Sequence, residues 1–474
     1  MPQYNKVTPE ILDRLKVLAP GRVYAGEDVN EDYAHDEMPI YGTHTPEAVV
    51  EVLTTEEVAE IMKLCNLSRI PVTPRGAGTG LAGGAVPIAG GIVLSTVRMK
   101  QILEYDLDNL YVRVQPGVLL NELVEDAAKQ GLLYPPDPGE KFATLGGNVS
   151  TNAGGMRAVK YGTTRDYVRA MTAVLPTGEV LRLGAAVSKT SSGYSLLNLM
   201  IGSEGTLGVV TELTLKLVPL PLETVSLIVP YEGLDQCISA VPEFLRNHLQ
   251  PQALEFMERK IVLLTEKHLG KSVFPGMVDG AEAKAYLLVT FEGDSAEELQ
   301  GIVERASEVV LETGALDVFV ADSPAKKKDA WAARSALLEA ILEGVKLVDE
   351  CDVVVPATKI ALYLNYINSL ESRVGLNIMS FGHAGDGNLH IYATSNDLDE
   401  DTFKSRAAVF MDLAYEKASE FGGLVSGEHG IGHGKLEYLE KSAGGTAMAL
   451  MEGIKKVFDP NLILNPGKVC LRLK

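Results

Sequence analysis

Three glycine-rich loops within the first 220 residues limit most strongly what this chain can fold into. They span Arg75–Gly84, Gly146–Gly155 and Gly202–Gly208. In the first loop, glycines at alternate positions leave backbone N–H groups unshielded, so that several can converge on a pyrophosphate. The second adds Ser, Thr and Asn side chains, which donate hydrogen bonds to phosphates and ring heteroatoms. One such loop is more often a plain turn, but three in one region predict a ligand site.

The surroundings of these loops exclude two common nucleotide sites. No loop continues into a Gly-Lys-Ser/Thr sequence, so none is a P-loop. No G-x-G-x-x-G with a following acidic residue stands near the N-terminus, which disfavours a Rossmann NAD site. Between the loops, Ile92–Leu94 and Tyr111–Val114 read as strands and Glu57–Asn66 as a helix that ends before Pro71. The alternation indicates an α/β or α+β domain.

A different pattern follows Pro219-Leu220-Pro221, where we place a domain boundary. The predicted order is β-α-β-β-α-β, which matches a ferredoxin-like unit suited to cap a cofactor. A capping box formed by Ser295 and Glu298 opens the second of its helices. We therefore expect domains at 1–220, 221–420 and 421–474. The predicted elements are Thr224–Pro230, Leu234–Leu245, Ala253–Phe256, Tyr286–Phe291, a helix from Ser295 to Val310, and Val318–Val320.

Charge and cysteine content exclude several classes of protein. The net charge of −20 argues against broad contact with nucleic acid or an anionic bilayer. The four cysteines are far apart and form no C-x-x-C pair, which excludes a zinc ribbon of that type and disfavours a cysteine-bound iron–sulfur cluster. No apolar stretch reaches about 18 residues, and the N-terminus has no signal-peptide segment. These features predict a cytoplasmic protein without a membrane span.

The glycine loops, together with Pro135-Pro136-Asp137-Pro138 between them, resemble the FAD domain of the vanillyl-alcohol oxidase and p-cresol methylhydroxylase superfamily. Within it the chain is similar to the large flavin subunit of glycolate oxidase and to FAD-linked D-lactate dehydrogenases, from about Ala48 to Gly467. The resemblance implies an α+β fold with a two-part FAD-binding domain of the p-cresol methylhydroxylase type. It also implies a ferredoxin-like substrate or cap domain and a C-terminal helical segment that packs back on the FAD domain.

The same resemblance implies which residues contact FAD. The first loop would hold the pyrophosphate, and the later loops would line the flavin. Because no histidine stands in the first loop, we expect the FAD to be bound non-covalently. The implied contact residues are Arg75, Gly76, Ala77, Gly78, Thr79, Gly80, Pro138, Thr144, Leu145, Gly146, Gly147, Ser150, Asn152, Glu204, Gly205 and Val210.

Four of the eight histidines lie between positions 383 and 433, in two loops rich in glycine. Glycines between His383 and His390 disfavour a helix, so we predict a tight turn with Leu389–Ala393 leaving as a strand. Such a turn can bring both imidazoles together, and Glu428 can add a carboxylate. Two histidines and a carboxylate leave open positions on a divalent ion (Zn, Mn or Fe), suited to a hydroxyl and a carboxylate of a substrate. The alternative is that these histidines are hydrogen-bonded core residues.

The family resemblance supports the metal site, since in related 2-hydroxyacid dehydrogenases the matching residues bind the metal. It also implies that His429, which follows Glu428, is the base, and an imidazole titrates in the range that this role needs. His433 is interpreted as a neighbour of the site or as incidental. The remaining histidines are assigned to no site; they are His35 and His44 near the N-terminus, and His248 and His268 in the cap.

Arg334, one helical turn after the single tryptophan Trp331, is the candidate partner for a substrate carboxylate. The W-x-x-R pattern resembles the substrate arginine of the family, and the alternative is an exposed surface pair. Some relatives carry a basic residue just before the D-x-x-x-P segment, where this chain has Asp349-Glu350-Cys351-Asp352. That departure disfavours a dicarboxylate such as 2-hydroxyglutarate and favours lactate or glycolate.

These features predict an FAD-dependent dehydrogenase of a small 2-hydroxy acid. Arg334 and the metal fix the substrate, His429 accepts the hydroxyl proton, and the C2 hydride passes to flavin N5. Electrons then leave to a protein, either an electron-transferring flavoprotein or an iron–sulfur subunit. Two alternatives remain open: a metal-independent flavin oxidase of the same fold, and a chain that mainly passes electrons within a larger complex.

Overall fold

Short apolar runs bounded by glycine or proline become the strands of this protein, and the polar-flanked periodic segments become its helices. The computed structural model describes residues 3–473. Packing divides them into two units. The first unit comprises the described residues up to Ala153, Thr163–Leu220, and the chain from Glu428 onward; the second comprises Gly154–Gly162 and Pro221–Gly427. Residues 421–427, predicted as the start of a separate C-terminal segment, thus belong to the second unit.

The helices are distributed over both units. In chain order they are α1 Pro9–Leu18, α2 Thr55–Ser68, α3 Leu120–Lys129, α4 Leu145–Thr151, α5 Ala158–Tyr161, α6 Leu196–Met200, α7 Leu234–Ser239, α8 Val241–Arg246, α9 Arg259–Leu269, α10 Ala296–Glu312, α11 Pro324–Ser335, α12 Leu337–Gly344, α13 Ile360–Val374, α14 Glu400–Glu420 and α15 Leu436–Phe458.

Two main sheets form the first unit. One has the order β1-β2-β4-β3, with β2 and β3 both parallel to β4, and the other has the antiparallel order β5-β6-β10-β8-β9. A short pair joins β7 to β11. The strands are β1 Val23–Ala25, β2 Ala48–Glu51, β3 Val72–Arg75, β4 Ile92–Ser95, β5 Ile102–Asp106, β6 Tyr111–Val114, β7 Leu132–Leu133, β8 Val168–Val174, β9 Val180–Gly184, β10 Val209–Lys216 and β11 Val218–Pro219.

Helix α2 covers the first sheet and shows how local chemistry sets its ends. The Thr54 side chain accepts a hydrogen bond from the Glu57 N–H at 3.2 Å, and acidic residues in the first turn face the positive end of the helix dipole. The helix ends at Arg69, which adopts φ +51° ahead of Pro71. The predicted helix is confirmed and extends two residues beyond its predicted bound at each end. Its buried face packs with α1 and the sheet in one apolar core.

The end of the chain runs beside β3, next to the first glycine loop. The Val72 N–H donates to the Ile463 carbonyl at 2.8 Å, and the Asn465 N–H donates to the Val72 carbonyl at 2.7 Å. Val72 and Leu464 therefore form a parallel bridge. The first unit is built from segments far apart in the sequence, and residues 463–465 bind along the edge strand β3 of its sheet.

An antiparallel sheet of seven strands, in the order β17-β12-β16-β13-β19-β20-β18, forms the second unit. The first four strands of that order confirm the predicted ferredoxin-like arrangement, and three later strands extend it. Its strands, with a small hairpin β14–β15, are β12 Glu223–Tyr231, β13 Ala253–Glu258, β14 Met277–Val278, β15 Ala281–Glu282, β16 Ala285–Gly293, β17 Phe319–Ala321, β18 Leu347–Val354, β19 Asn377–His383 and β20 Asn388–Ser395.

Two local predictions for this unit differ in detail from the structure. The segment 234–245, predicted as one helix, forms α7 and α8 with a break at Ala240, because Pro242 in the first turn of α8 cannot continue a helix hydrogen-bond ladder. Ser295 caps α10 as predicted, accepting from the Glu298 N–H at 3.2 Å. The Glu298 carboxylate, however, accepts from the Asp294 N–H at 2.8 Å and so closes the turn one residue earlier.

None of the helices formed by residues 3–473 combines the length and the apolar character that a membrane crossing requires.

Candidate active site

The first glycine loop is built around Arg75, the last residue of β3. Its guanidinium donates to the carbonyls of His35 at 2.6 Å and Asp32 at 2.7 Å, and is buried among them. Gly78, at φ +84°, folds over this side chain so closely that a Cβ there would lie 2.0 Å from Nη2. The Arg75 side chain thus supports the loop by packing against Gly78. Its contact with FAD remains a prediction.

The backbone N–H groups of this loop have no acceptors of their own. From Gly76 to Ala82, none donates a hydrogen bond to another residue within the range 3–473. The next N–H, that of Gly83, donates to the Asp36 carboxylate at 2.6 Å. A run of unengaged N–H groups beside a strand end is the donor set that a pyrophosphate requires. The loop therefore fits the phosphate end of FAD.

The second glycine loop lies against the first. A Cβ on Gly76 would come within 2.1 Å of Thr144 Oγ1, so glycine is needed for the two loops to approach. Thr144 also caps α4, accepting from the Gly147 N–H at 3.3 Å. The Asn148 Nδ2, buried in this short helix, has no acceptor among the described residues. Sequence reasoning did not single out Asn148, since one Asn in a polar loop carries no distinct signal.

The third loop joins the same cluster. The Glu204 N–H donates to the Ser150 carbonyl at 2.8 Å, and a Cβ on Gly205 would lie 2.8 Å from Pro74 Cγ. Ser150 in turn donates to the Gly146 carbonyl at 2.7 Å. The structure therefore brings the three predicted loops together within the first unit, the second of them as far as Ala153.

Other predicted cofactor residues have local contacts that sequence reasoning did not foresee. Asn152 Oδ1 accepts from the Arg165 N–H at 2.9 Å and from Thr163 Oγ1 at 3.1 Å, which holds the end of α4. The Pro138 carbonyl accepts from Lys141 Nζ at 3.0 Å. Leu145 and Val210 are buried, Val210 in β10. Their contacts with FAD remain predictions.

Glu428 and His429 begin the C-terminal part of the first unit. Their side chains lie close together, with His429 Nε2 at 3.6 Å from Glu428 Oε1. Both are only partly buried, so each has a face open to a ligand. The residues that follow, Gly430 and Gly432, have φ of +82° and +50°. His429 is thus carried on a loop without regular secondary structure.

In the second unit, His383 and His390 lie on the adjacent strands β19 and β20, joined by a tight turn. Gly387 in that turn has φ +87°, and a Cβ there would lie 2.0 Å from the Val355 carbonyl oxygen. The predicted turn and strand are confirmed. The Nε2 atoms of the two imidazoles are 3.5 Å apart, and the ring planes are at 89°, so the rings are perpendicular. Two ring nitrogens converging in this way are suited to share one cation.

A buried carboxylate stands behind each imidazole. Glu255, the register partner of His383 on β13, lies 2.8 Å from its Nδ1. Glu350 on β18 lies 3.4 Å from Nδ1 of His390. The hydrogen bond between Glu255 and Nδ1 fixes the tautomer of His383 and directs its Nε2 outward, which is the usual support for a metal-binding histidine, whereas Glu350 lies within ion-pair distance of His390. Glu350, Asp352 and His390 also each offer a ligand atom within 4.8 Å of one another.

Arg334 shares the carboxylate that orients His383. Its Nε and Nη2 lie 2.8 and 2.6 Å from Glu255 Oε2, and its guanidinium lies over the Phe381 ring at 4.7 Å. Burial alone would raise the pKa of Glu255, but its contacts with His383 and Arg334 outweigh burial and lower the pKa. The alternative of an exposed surface arginine is wrong, because Arg334 is 6 % exposed. Its Nη1 has no acceptor among residues 3–473.

Asp352 anchors the segment that leads to Glu428. Its Oδ2 accepts from Ser426 Oγ at 2.7 Å and from the Gly427 N–H at 3.1 Å, and its Oδ1 accepts from Asn388 Nδ2 at 2.7 Å. Glu428 is the next residue after Gly427. Sequence reasoning missed Glu255 as a functional residue; the available signal was an acid inside an otherwise apolar strand.

Two family models match the chain. A model described as FAD binding domain matches residues 46–184, and one described as FAD linked oxidases, C-terminal domain, matches residues 220–469, more than half of the chain. This chain belongs to the FAD-linked oxidase family. The second model spans both the histidine hairpin and the Glu428–His429 loop, and the first spans the first two glycine loops.

Relatives of this FAD-linked oxidase extend over nearly its whole length. It is 65% identical over 471 residues to a D-lactate dehydrogenase of Anaerostipes hadrus, with 99% of each chain covered. It is 37% identical to the glycolate oxidase subunit GlcD of Bacillus subtilis, covering 92% of this chain and 91% of the relative. It is also 32% identical to a D-2-hydroxyglutarate dehydrogenase of Stutzerimonas stutzeri, covering 97% and 99%.

Among solved structures, p-cresol methylhydroxylase with bound substrate matches with a TM-score of 0.82 at 18% identity, covering 100% of this chain and 99% of that one. At this identity the match concerns the fold alone. It confirms the predicted fold class of this FAD-linked oxidase.

Proposed function

We propose that this FAD-linked oxidase converts a small 2-hydroxy acid, D-lactate or glycolate, into the 2-oxo acid. The observation that carries the proposal is the pair of imidazoles on β19 and β20, converging at 3.5 Å and each backed by a buried carboxylate. A phenol oxidase needs no such pair. The names of the relatives support a 2-hydroxy acid, and D-lactate comes first because the relative of that name is 65% identical.

The fit of FAD to the first unit rests on the loop Gly76–Ala82, whose N–H groups have no acceptor in the described chain. When bound, FAD supplies the acceptor for the hydride that leaves the substrate carbon. The residues of this chain then have to hold the substrate, accept one proton and keep water away from the reacting atoms.

The fit of a divalent metal rests on the chemistry of the donor set. His383 and His390 would hold it through Nε2, and Glu428 is proposed as the third ligand because it follows the anchored Gly427 directly in sequence. Zn, Mn and Fe all accept two imidazoles and a carboxylate. When bound, such an ion lowers the pKa of a coordinated hydroxyl group.

Arg334 and His429 have the two remaining tasks. Arg334, with Nε and Nη2 on Glu255, presents Nη1 and the outer proton of Nη2 to the substrate carboxylate. His429 accepts the hydroxyl proton through an imidazole nitrogen. As that proton leaves, an oxygen electron pair forms the carbonyl bond and the C2 hydrogen departs with its bonding electrons. The products are one 2-oxo acid, one proton on His429 and one hydride, which carries the two electrons.

The electrons must then pass to an acceptor, which we propose to be an electron-transferring flavoprotein or an iron–sulfur subunit. The four cysteines stand as thiols and do not group into a cluster site within the described chain, which supports an external acceptor. Their reduced state also supports a cytoplasmic location.

Anaerobic mixing of the FAD-loaded enzyme with D-lactate, L-lactate, glycolate and D-2-hydroxyglutarate, followed by flavin absorbance, tests the substrate class. Bleaching by D-lactate or glycolate at rates well above those with the other two acids is the expected result. A flavin that none of the four acids reduces would contradict the proposal.

Chelation separates the metal-dependent reaction from a metal-independent oxidase. We expect EDTA treatment to abolish flavin reduction, and Zn²⁺, Mn²⁺ or Fe²⁺ to restore it. Reduction that survives complete metal removal, measured by elemental analysis, would favour the oxidase. Flavin reduction by a 2-hydroxy acid in the isolated chain also excludes a purely electron-passing role.

A further inference from the structure

Glu204 has a position that cofactor binding alone does not explain. Its carboxylate is buried and accepts two backbone hydrogen bonds from the loop that carries His429: Ile431 N–H at 2.8 Å to Oε1 and Gly432 N–H at 2.7 Å to Oε2. A Cβ on Gly430 would lie 2.8 Å from the Glu204 Cδ. The two oxygens of this carboxylate thus bind the N–H groups of two consecutive residues, the second and third after His429.

The backbone of Glu204 is in an unusual conformation for a side chain of this type. Its φ is +52°, in the left-handed region that costs a non-glycine residue of order 1 kcal/mol, while its neighbour Gly205 has φ +66°. Glycine would serve the turn better at position 204. A glutamate in this place therefore indicates that the carboxylate has a task that offsets the strain.

The motif at the end of the chain, Asn465-Pro466-Gly467-Lys468, fixes Glu204 from the other side. Asn465 Nδ2 donates to the Glu204 carbonyl at 2.8 Å, and the ammonium of Lys468 donates to Asn465 Oδ1 at 2.7 Å. The Val469 N–H donates to the Gly432 carbonyl at 2.9 Å, so the same segment also holds the clamped loop. Burial raises the pKa of Glu204 above its ordinary value, because it outweighs the two N–H groups and the charges of Lys468 and Lys435, which lower it.

We propose that Glu204 is a positioning residue for the proton transfer: by clamping Ile431 and Gly432 it fixes the loop on which His429 is carried. The loop has glycine at 430 and 432, both at positive φ, and so has little conformational preference of its own. The orientation of the His429 imidazole then depends on the clamp. This inference rests on the proposed function, because it assumes that His429 is the base.

Glu204→Gln tests the inference, since glutamine keeps the size of the side chain but retains only one acceptor oxygen and places an NH₂ group against the second N–H. We expect the limiting rate of anaerobic flavin reduction by D-lactate to fall about 10- to 100-fold, as expected for a displaced catalytic group. The FAD content, the flavin spectrum, the metal content and the apparent dissociation constant of lactate should stay within about 2-fold of the unsubstituted enzyme. C2-deuterated D-lactate should show a changed isotope effect, since proton and hydride transfer are coupled.

The chain provides a matched control in Glu266, whose Oε1 accepts from the N–H groups of Val273 and Phe274, both at 2.8 Å, in the second unit. Glu266→Gln removes the same kind of clamp away from the loop and should leave the reduction rate unchanged. If Glu204→Gln folds poorly, Glu204→Asp, which keeps both oxygens on a shorter stem, should show the same selective loss of rate.

An unchanged rate in Glu204→Gln would overturn the inference. So would a loss of FAD or a shifted flavin spectrum that accounts for the whole loss of rate, because Glu204 would then be a cofactor contact. An equal loss of rate in Glu266→Gln would show a general effect of clamp removal and would also overturn it. If no 2-hydroxy acid reduces the flavin of the unsubstituted enzyme, the proposed function fails instead.

Discussion

The histidine hairpin of the second unit and the Glu428–His429 loop of the first differ in how their side chains are fixed. His383 and His390 lie on paired strands; Glu255 binds the ring of His383, and Glu350 lies 3.4 Å from Nδ1 of His390. His429 lies on a glycine-rich loop whose backbone is bound by Glu204 and by Val469. A ligand pair needs fixed distances, whereas a base must approach a substrate that enters and leaves, and the two kinds of support match these tasks.

The comparison predicts that losing the loop histidine stops proton transfer without disturbing the metal. We expect His429→Ala to reduce the rate of flavin reduction by D-lactate about 10²- to 10⁴-fold, the usual contribution of a general base. FAD and metal content should be unchanged. His268→Ala is the matched control, since His268 lies on α9 and contacts Glu343 on α12. A normal rate in His429→Ala would show that His429 is not the base.

Substitution of the carboxylates beside the hairpin histidines should mainly reduce metal binding, whereas His429→Ala should leave the metal content unchanged. Glu255→Gln removes the charge that orients His383, and we expect metal affinity to fall about 10- to 100-fold. Glu350→Gln should act in the same direction through His390. Glu258→Gln is the control, because Glu258 is on the same strand β13 and bonds instead to Ser380 and Asn368. Full metal retention in Glu255→Gln, measured by competition with a chelator, would contradict the comparison.

Arg334 bonds to the same carboxylate as His383 but is predicted to bind the substrate. Arg334→Lys keeps the positive charge and loses the planar fork that bonds Glu255 and a carboxylate together. We expect the apparent dissociation constant of D-lactate to rise about 10-fold, in line with the loss of one charged hydrogen bond, and the limiting reduction rate to change less. Arg259→Lys, on α9, reports the general cost of such a change. Unaltered lactate binding would remove Arg334 from the site.

The smallest expected effect concerns stability of the first unit at acid pH. Burial, with the charges of Lys468 and His44, lowers the pKa of His433 from 6.5 to about 4. Between about pH 6.5 and 4 the unfolded chain therefore binds a proton that the folded chain does not, so stability falls as the pH falls through this window. His433→Leu removes that proton, and its melting temperature should decline less than that of the unsubstituted enzyme between pH 6.5 and 4. Equal declines would show that His433 is protonated in the folded protein.

Local sequence signals predicted the turn and the two histidines of the hairpin, but not the carboxylates beside them. The turn between His383 and His390 could be read from its glycines, and both histidines from their spacing. Glu255 could not be paired with His383, because 128 positions separate them and strand register is set by the whole sheet. The same holds for Glu204 and Ile431, which are 227 positions apart. The break at Ala240, by contrast, could have been predicted from Pro242 alone.

The interlocking of Asn465–Lys468 with the glycine loops has a consequence for biosynthesis. The second unit is complete in the nascent chain once Gly427 has been synthesised, whereas the first unit lacks its closing segment until Asn465–Lys468 have followed. During that interval the nascent chain holds its nucleotide loops open, unsupported along one flank. A truncation that removes Asn465–Lys468 would make that state permanent, and we expect such a protein to purify pale, depleted of its yellow cofactor.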